Sequence, residues 1–133
     1  MKIDGGCHCG NITFTAEIDP DKVRICHCTD CQKITGTAYR VVVPAPEDGF
    51  ALRGKPTEYI KTAESGAKRA QGFCPQCGTP IYSTAPDERK IYGLRIGTIR
   101  QRAELRPKLQ QWCRSKLDWT QDLRDLPQAA KQG

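Results

Sequence analysis

Apolar and polar residues along the chain alternate in short runs and do not recur at helical spacing. In "NITFTAEI" (11–18), Ile12, Phe14, Ala16 and Ile18 alternate with Thr13, Thr15 and Glu17, the period of a strand with one buried face. "TAYRVVV" (37–43), "TEYIKT" (57–62), "PIYST" (80–84) and "KIYGLRI" (90–96) predict further strands. Gly and Pro break the pattern between them at "PAPEDG", "RGKP" and "TAPDE". "CTDCQKIT" (28–35) predicts one short helical turn and "TQDLRDL" (120–126) another. The pattern therefore predicts a single mainly β domain with few short helices over residues 1–126, followed by a loose tail, 127–133.

Composition adds one constraint to this picture. With 133 residues, three Phe, two Trp and one Met, the chain has little material for a core, yet it holds eight cysteines. The first residues, "MKIDGGCHCG", lack a leader pattern, and the longest apolar run, "VVVPA", is far too short to span a membrane. A cytoplasmic setting is the expectation, and there thiols stay reduced and bind metal more readily than they pair.

Seven of the eight cysteines form three clusters: Cys7-x-Cys9, Cys26-x-Cys28-x-x-Cys31 and Cys74-x-x-Cys77. Zinc takes four thiolates in a closed structural site and three protein ligands in a catalytic one. The first and last clusters both end in glycine, at Gly10 and Gly78. A glycine there supplies the positive φ that lets a backbone N–H approach a thiolate. Cys7, Cys9, Cys74 and Cys77 are therefore expected to close one zinc site. Cys26, Cys28 and Cys31 then form a second with one open position. A fourth protein ligand, Cys113 or His27, is the alternative for that position, and an empty second cluster is another.

His8 and His27 each lie between two of these cysteines. Alternation in extended backbone turns them away from the metal, into packing or hydrogen-bonding roles. The charge is uneven: residues 1–66 carry a net −1 and residues 67–133 a net +7. Such a basic half is compatible with an anionic partner or with a solvated face. Aromatic content of 7%, not interleaved with the bases, argues against a platform for single-stranded nucleic acid. A redox role for the cysteine pairs would leave the three-cluster spacing unexplained.

"GGCHCGNITF", "CHCTDCQKITG", "SGAKRAQGFCPQCGTPIY" and "RPKLQQWCRSKLDW" together resemble the glutathione-dependent formaldehyde-activating enzyme family, which includes the centromere protein V type. The resemblance runs from about Gly5 to Trp119. It implies a β-rich fold of the β-tent kind with two zinc ions. It places structural ligands at Cys7, Cys9, Cys74 and Cys77 and catalytic ligands at Cys26, Cys28 and Cys31. The implied activity is that of a carbon–sulfur lyase condensing formaldehyde with glutathione. A zinc-bound substrate thiol would be deprotonated and add to the aldehyde, with Lys68, Arg69 or Arg95 as candidate partners for its carboxylates. The competing class is a non-catalytic, zinc-stabilised module that binds nucleic acid or protein.

Overall fold

A computed structural model describes residues 1–132; position 133, the end of the expected tail, lies outside them. The molecule is mainly β, with ten strands and one α-helix among the described residues. β1 (Lys2–Gly6), β2 (Thr13–Glu17) and β5 (Phe50–Arg53) form a three-stranded antiparallel sheet in the order β1-β2-β5. The remaining strands are β3 (Arg24–Cys26), β4 (Arg40–Pro46), β6 (Thr57–Thr62), β7 (Lys68–Phe73), β8 (Pro80–Thr84), β9 (Ile91–Arg95) and β10 (Leu109–Gln111). They build a seven-stranded sheet in the order β10-β3-β4-β9-β8-β7-β6. Every pairing is antiparallel except β10 on β3, which is parallel.

The two sheets pack because each strand segregates its side chains by period two. Ile3, Phe14 and Ala16 face inward from the small sheet, and Val43, Ala45, Tyr82 and Leu94 from the large one. Val43, Leu94 and Tyr82 are register partners across β4, β9 and β8, so they form one apolar band. Phe50 joins the sheets through Tyr92, with ring centroids 4.8 Å apart, and Tyr92 meets Tyr82 edge-on at 5.0 Å. Three aromatic rings thus supply core volume that the composition otherwise lacks.

The opposite face of the large sheet carries most of its polar side chains. Arg24 on β3, Val42 on β4 and Arg95 on β9 are register partners, as are Cys26 and Arg40. Gln71 on β7 is aligned with Ser83 on β8, and Arg69 on β7 with Lys61 on β6. Alternation gives all of these one common side of the sheet.

Several sequence expectations shift at their edges. The strand expected from Thr37 begins at Arg40, because Gly36 caps the preceding helix in the left-handed conformation (φ 68°) and Thr37 N–H still bonds back to Gln32. That helix, α1, spans Thr29–Thr35, close to the turn expected over 28–35. The second helical turn is displaced: a 3₁₀ turn covers Asp118–Gln121, and residues 122–126 continue without helix. Leu123 and Leu126 are exposed there, so no core contact supports a helix.

Candidate metal centres

The first cysteine group is assembled by two similar chain reversals. Cys7 N–H bonds Ile12 O at 2.9 Å, and Cys74 N–H bonds Thr79 O at 3.0 Å. Each reversal carries a left-handed glycine, Gly10 (φ 83°) or Gly78 (φ 77°), the conformation that the flanking glycines led us to expect. Ile12 N–H donates to Cys7 Sγ at 3.2 Å. His8 N–H donates to Thr79 Oγ1 at 3.1 Å, which ties one reversal to the other.

Cys7, Cys9, Cys74 and Cys77 present their sulfurs within 4.8 Å of one another. Four thiolates about 2.3 Å from a tetrahedral zinc lie about 3.8 Å apart. Cys7 and Cys9 sulfurs stand 3.6 Å apart, and Cys9 and Cys74 sulfurs 3.7 Å. The donor set and its spacing fit that ion. Cys74 and Cys7 are buried, whereas Cys9 and Cys77 are exposed. The Thr79 hydroxyl, followed by its backbone N–H, holds the Cys77 thiol down to about 5.

The second group is local. Cys26 ends β3, Cys28 caps α1, and Cys31 lies one turn along that helix on the same face. The Cys28 sulfur accepts the Cys31 N–H at 3.3 Å, replacing the usual oxygen cap. All three sulfurs lie within 4.8 Å of one another. The Cys31 thiol hydrogen bond brings Cys26 down to about 5, with smaller help from the Cys28 backbone and the Arg40 guanidinium. The same bond, together with burial, pushes Cys31 up. This donor set also could hold a metal ion.

His27 does not join the group. It is 1% exposed, its Nε2 sits 2.8 Å from Gln110 Oε1, and its ring meets Tyr39 edge-on. Cys113 is exposed and stands outside both groups, and His8 is exposed as well. Neither candidate for a fourth protein ligand is grouped with Cys26, Cys28 and Cys31.

Above Cys26, Cys28 and Cys31 lies a cavity of about 190 Å³. Its walls include Arg24, Arg40, Arg69 and Arg95, with Trp112 at one side. Arg95 is 7% exposed, and burial followed by the neighbouring Arg40 pulls it down to about 9. Burial, then Arg40 and Arg24, lowers Arg69 too. Arg95 Nη2 donates to Gln71 Oε1, and Arg40 Nη1 to Ser83 Oγ at 3.4 Å. Arg95 Nε and Nη1, Arg40 Nε and Arg24 Nε are buried without a hydrogen-bond partner. Trp112 has φ 59°, the only positive φ outside glycine among the described residues. A bulky residue held there stores strain of a kind that clusters at functional sites.

Of the bases proposed from sequence, Arg69 and Arg95 line this cavity and Lys68 does not. Arg24, Arg40 and Trp112 escaped notice. A lone arginine in a strand carries no signal until its register is known.

A family model described as glutathione-dependent formaldehyde-activating enzyme matches residues 2–115. A Halomonas elongata protein that carries that name provisionally is 26% identical over 91 residues, 65% of this chain. The matched stretch spans 58% of that relative's length. A crystal structure of a Rhodobacter sphaeroides protein superposes with a TM-score of 0.62 at 18% identity, covering 81% of this chain and 99% of that one. That likeness bears on the fold alone.

Proposed function

The chain belongs to the glutathione-dependent formaldehyde-activating enzyme family, and on that premise we propose that it is a zinc-dependent carbon–sulfur lyase acting on a thiol–aldehyde adduct of the S-(hydroxymethyl)glutathione type. In this reading Cys7, Cys9, Cys74 and Cys77 hold a structural zinc, and Cys26, Cys28 and Cys31 a catalytic one. The setting is the reducing cytoplasm, and the partners are a small thiol and an aldehyde. The observation that carries the reading is the group of three thiols lining a cavity, with His27 held by Gln110 and Cys113 outside the group.

Zinc at such a site supplies a positive centre that favours a substrate thiol as its thiolate. The protein's own residues do the rest. Cys28 is fixed by its cap on α1, and Cys26 by pairing with Arg40 on β4, so the three sulfurs hold one geometry. The guanidinium groups of Arg24, Arg40, Arg69 and Arg95 offset the negative charge of the sulfurs and of an incoming acid. In the condensation, a C–S bond forms, the carbonyl π pair moves to oxygen, and the proton given up by the thiol ends on that oxygen. Cleavage is the reverse.

The test is exchange NMR with zinc-loaded protein, glutathione and formaldehyde. Acceleration over the spontaneous reaction is expected; its absence at full zinc occupancy would overturn the lyase reading. The competing reading is a zinc-stabilised module that binds nucleic acid or protein, supported by the net +7 of residues 67–133. Part of that charge is internally paired, Arg100 with Asp4 at 2.8 Å and Arg114 with Glu64 at 3.2 Å. Steeply salt-dependent RNA or DNA binding by the zinc-loaded chain would favour the module.

A further inference from the structure

Four guanidinium groups from three neighbouring strands and β7 surround the thiol-lined cavity: Arg24 from β3, Arg40 from β4, Arg95 from β9 and Arg69 from β7. None of the four makes an ion pair with a carboxylate among the described residues. Lys61, at the rim, is occupied by Asp30 at 2.9 Å. Arg95 is more than nine-tenths buried and still has two unpartnered nitrogens, while Arg24 and Arg40 have one each. Buried donors without partners are rare in native proteins, and a missing ligand is a standing reason for them.

Charge sets how many negative groups that ligand carries. Three thiolates and a divalent ion sum to −1, and four guanidiniums to +4, which leaves a surplus of about three positive charges in a low-dielectric space. A monoanion would leave most of it unmatched. Two acidic groups, each taken by a planar fork of N–H donors, together with the ligand's own thiolate would offset it.

Size sets how large the ligand is. The cavity of about 190 Å³ is below the range of about 300–1,000 Å³ that holds drug-sized ligands, the class to which a tripeptide belongs. The sheet face lines one side of it, with Val42 and Gly93 between the arginines.

We propose that the thiol taken by this site is a compact acid bearing two anionic groups next to its sulfur, held by Arg24, Arg40, Arg69 and Arg95, and that glutathione is a weaker ligand of the same cavity. This rests on the lyase reading of the three-cysteine centre for the position of the sulfur. The affinity for acidic groups rests on the arginines, and the number of those groups on the same metal-loaded centre.

Mercaptosuccinate, succinate, glutathione and inorganic phosphate are titrated by calorimetry into the zinc-loaded full chain, unaltered and as R24Q and R69Q. Mercaptosuccinate is expected to bind about tenfold or more tighter than glutathione and than succinate, and each variant to weaken it by about tenfold. Glutathione binding as tightly as mercaptosuccinate would overturn the compact ligand. Phosphate or succinate matching it would overturn the thiol anchor. Affinity within about twofold in both variants would overturn the arginine assignment. Should either variant fail to fold, the ranking of ligands on the unaltered chain still decides. Exchange NMR with formaldehyde separates the two ideas. No acceleration with either thiol, alongside tight arginine-dependent mercaptosuccinate binding, sinks the lyase reading and leaves the ligand class standing.

Discussion

The two cysteine groups use the same donor chemistry and differ in almost everything around it. Cys7 and Cys9 meet Cys74 and Cys77 across 65 residues of sequence, through two chain reversals bonded to each other. Cys26, Cys28 and Cys31 come from one strand end and the helix that follows, and their neighbours are charged. On the proposed reading, the donor set that joins distant segments acts on the chain, whereas the local one acts on what enters beside it. What would then separate structure from chemistry is not thiol identity but the span of sequence enclosed and the surrounding charge.

The largest expected effect tests the first half of that contrast. Cys74→Ser removes a fully buried ligand of the long-range group. Structural zinc is worth roughly 10–16 kcal/mol in small domains, against about 5–15 kcal/mol of net stability for a whole domain. The cooperative thermal transition followed by circular dichroism should vanish. A variant melting within a few degrees of the parent would break the comparison.

Cys31→Ser tests the other half. Zinc content should fall by one ion per chain, adduct exchange by on the order of a hundredfold or more, and the melting temperature by no more than about 5 °C. Loss of the fold would show that both groups are structural.

A smaller effect comes from a network outside both groups. Glu58 accepts two bonds from Arg89, at 2.6 and 2.8 Å, and one from the Tyr82 hydroxyl at 2.7 Å. The Arg89 bonds, and then Tyr82, hold its carboxyl below the ordinary range despite partial burial. Its contribution is therefore full above the unfolded value of about 4.3 and is lost as pH falls through the lower folded value. Glu58→Gln should cost about 1–2 kcal/mol near neutral pH. It should also flatten the fall in melting temperature between about pH 5 and pH 3. An acid limb as steep as the parent's would remove Glu58 from that account.

The smallest effect sharpens the comparison at its most conspicuous residue. His8 is exposed and only its backbone joins the first group, so His8→Ala should shift stability by no more than about 0.5 kcal/mol and leave exchange rates unchanged. A rate loss of tenfold or more would give that imidazole a part in the reaction.

Period two made β2 nearly legible because its inward face is apolar, and β6 and β8 were legible residue for residue through their branched and aromatic residues. β1, β3, β5, β7 and β10 gave no such signal. β1 ends in two glycines, and β3 and β10 are three residues long. β7 places Arg69 and Gln71 toward the cavity and Ala70 and Gly72 toward the core, so its inner face is too small to read as apolar. Gly72 is itself demanded by Tyr82, whose ring would lie 2.4 Å from an added Cβ. The cysteine clusters were visible in spacing alone. The arginines around them were not, because Arg24, Arg40 and Arg95 become neighbours only through strand register, which local sequence does not carry.

The enclosure of residues 7–77 by the first group also sets an order of events during synthesis. The thiols of Cys26, Cys28 and Cys31 are all present once the first third of the chain has emerged, whereas the pair at Cys7 and Cys9 must wait for Cys74 and Cys77. Chains grow from the N-terminus at about 5–20 residues per second, so for a few seconds a growing chain offers five thiols and no complete set of four from the final arrangement. On the proposed reading, metal that arrives in that interval meets the complete set of Cys26, Cys28 and Cys31 but only half of the other set, and the last reversal to be made, "CPQCG", draws Cys7 and Cys9 to their final partners.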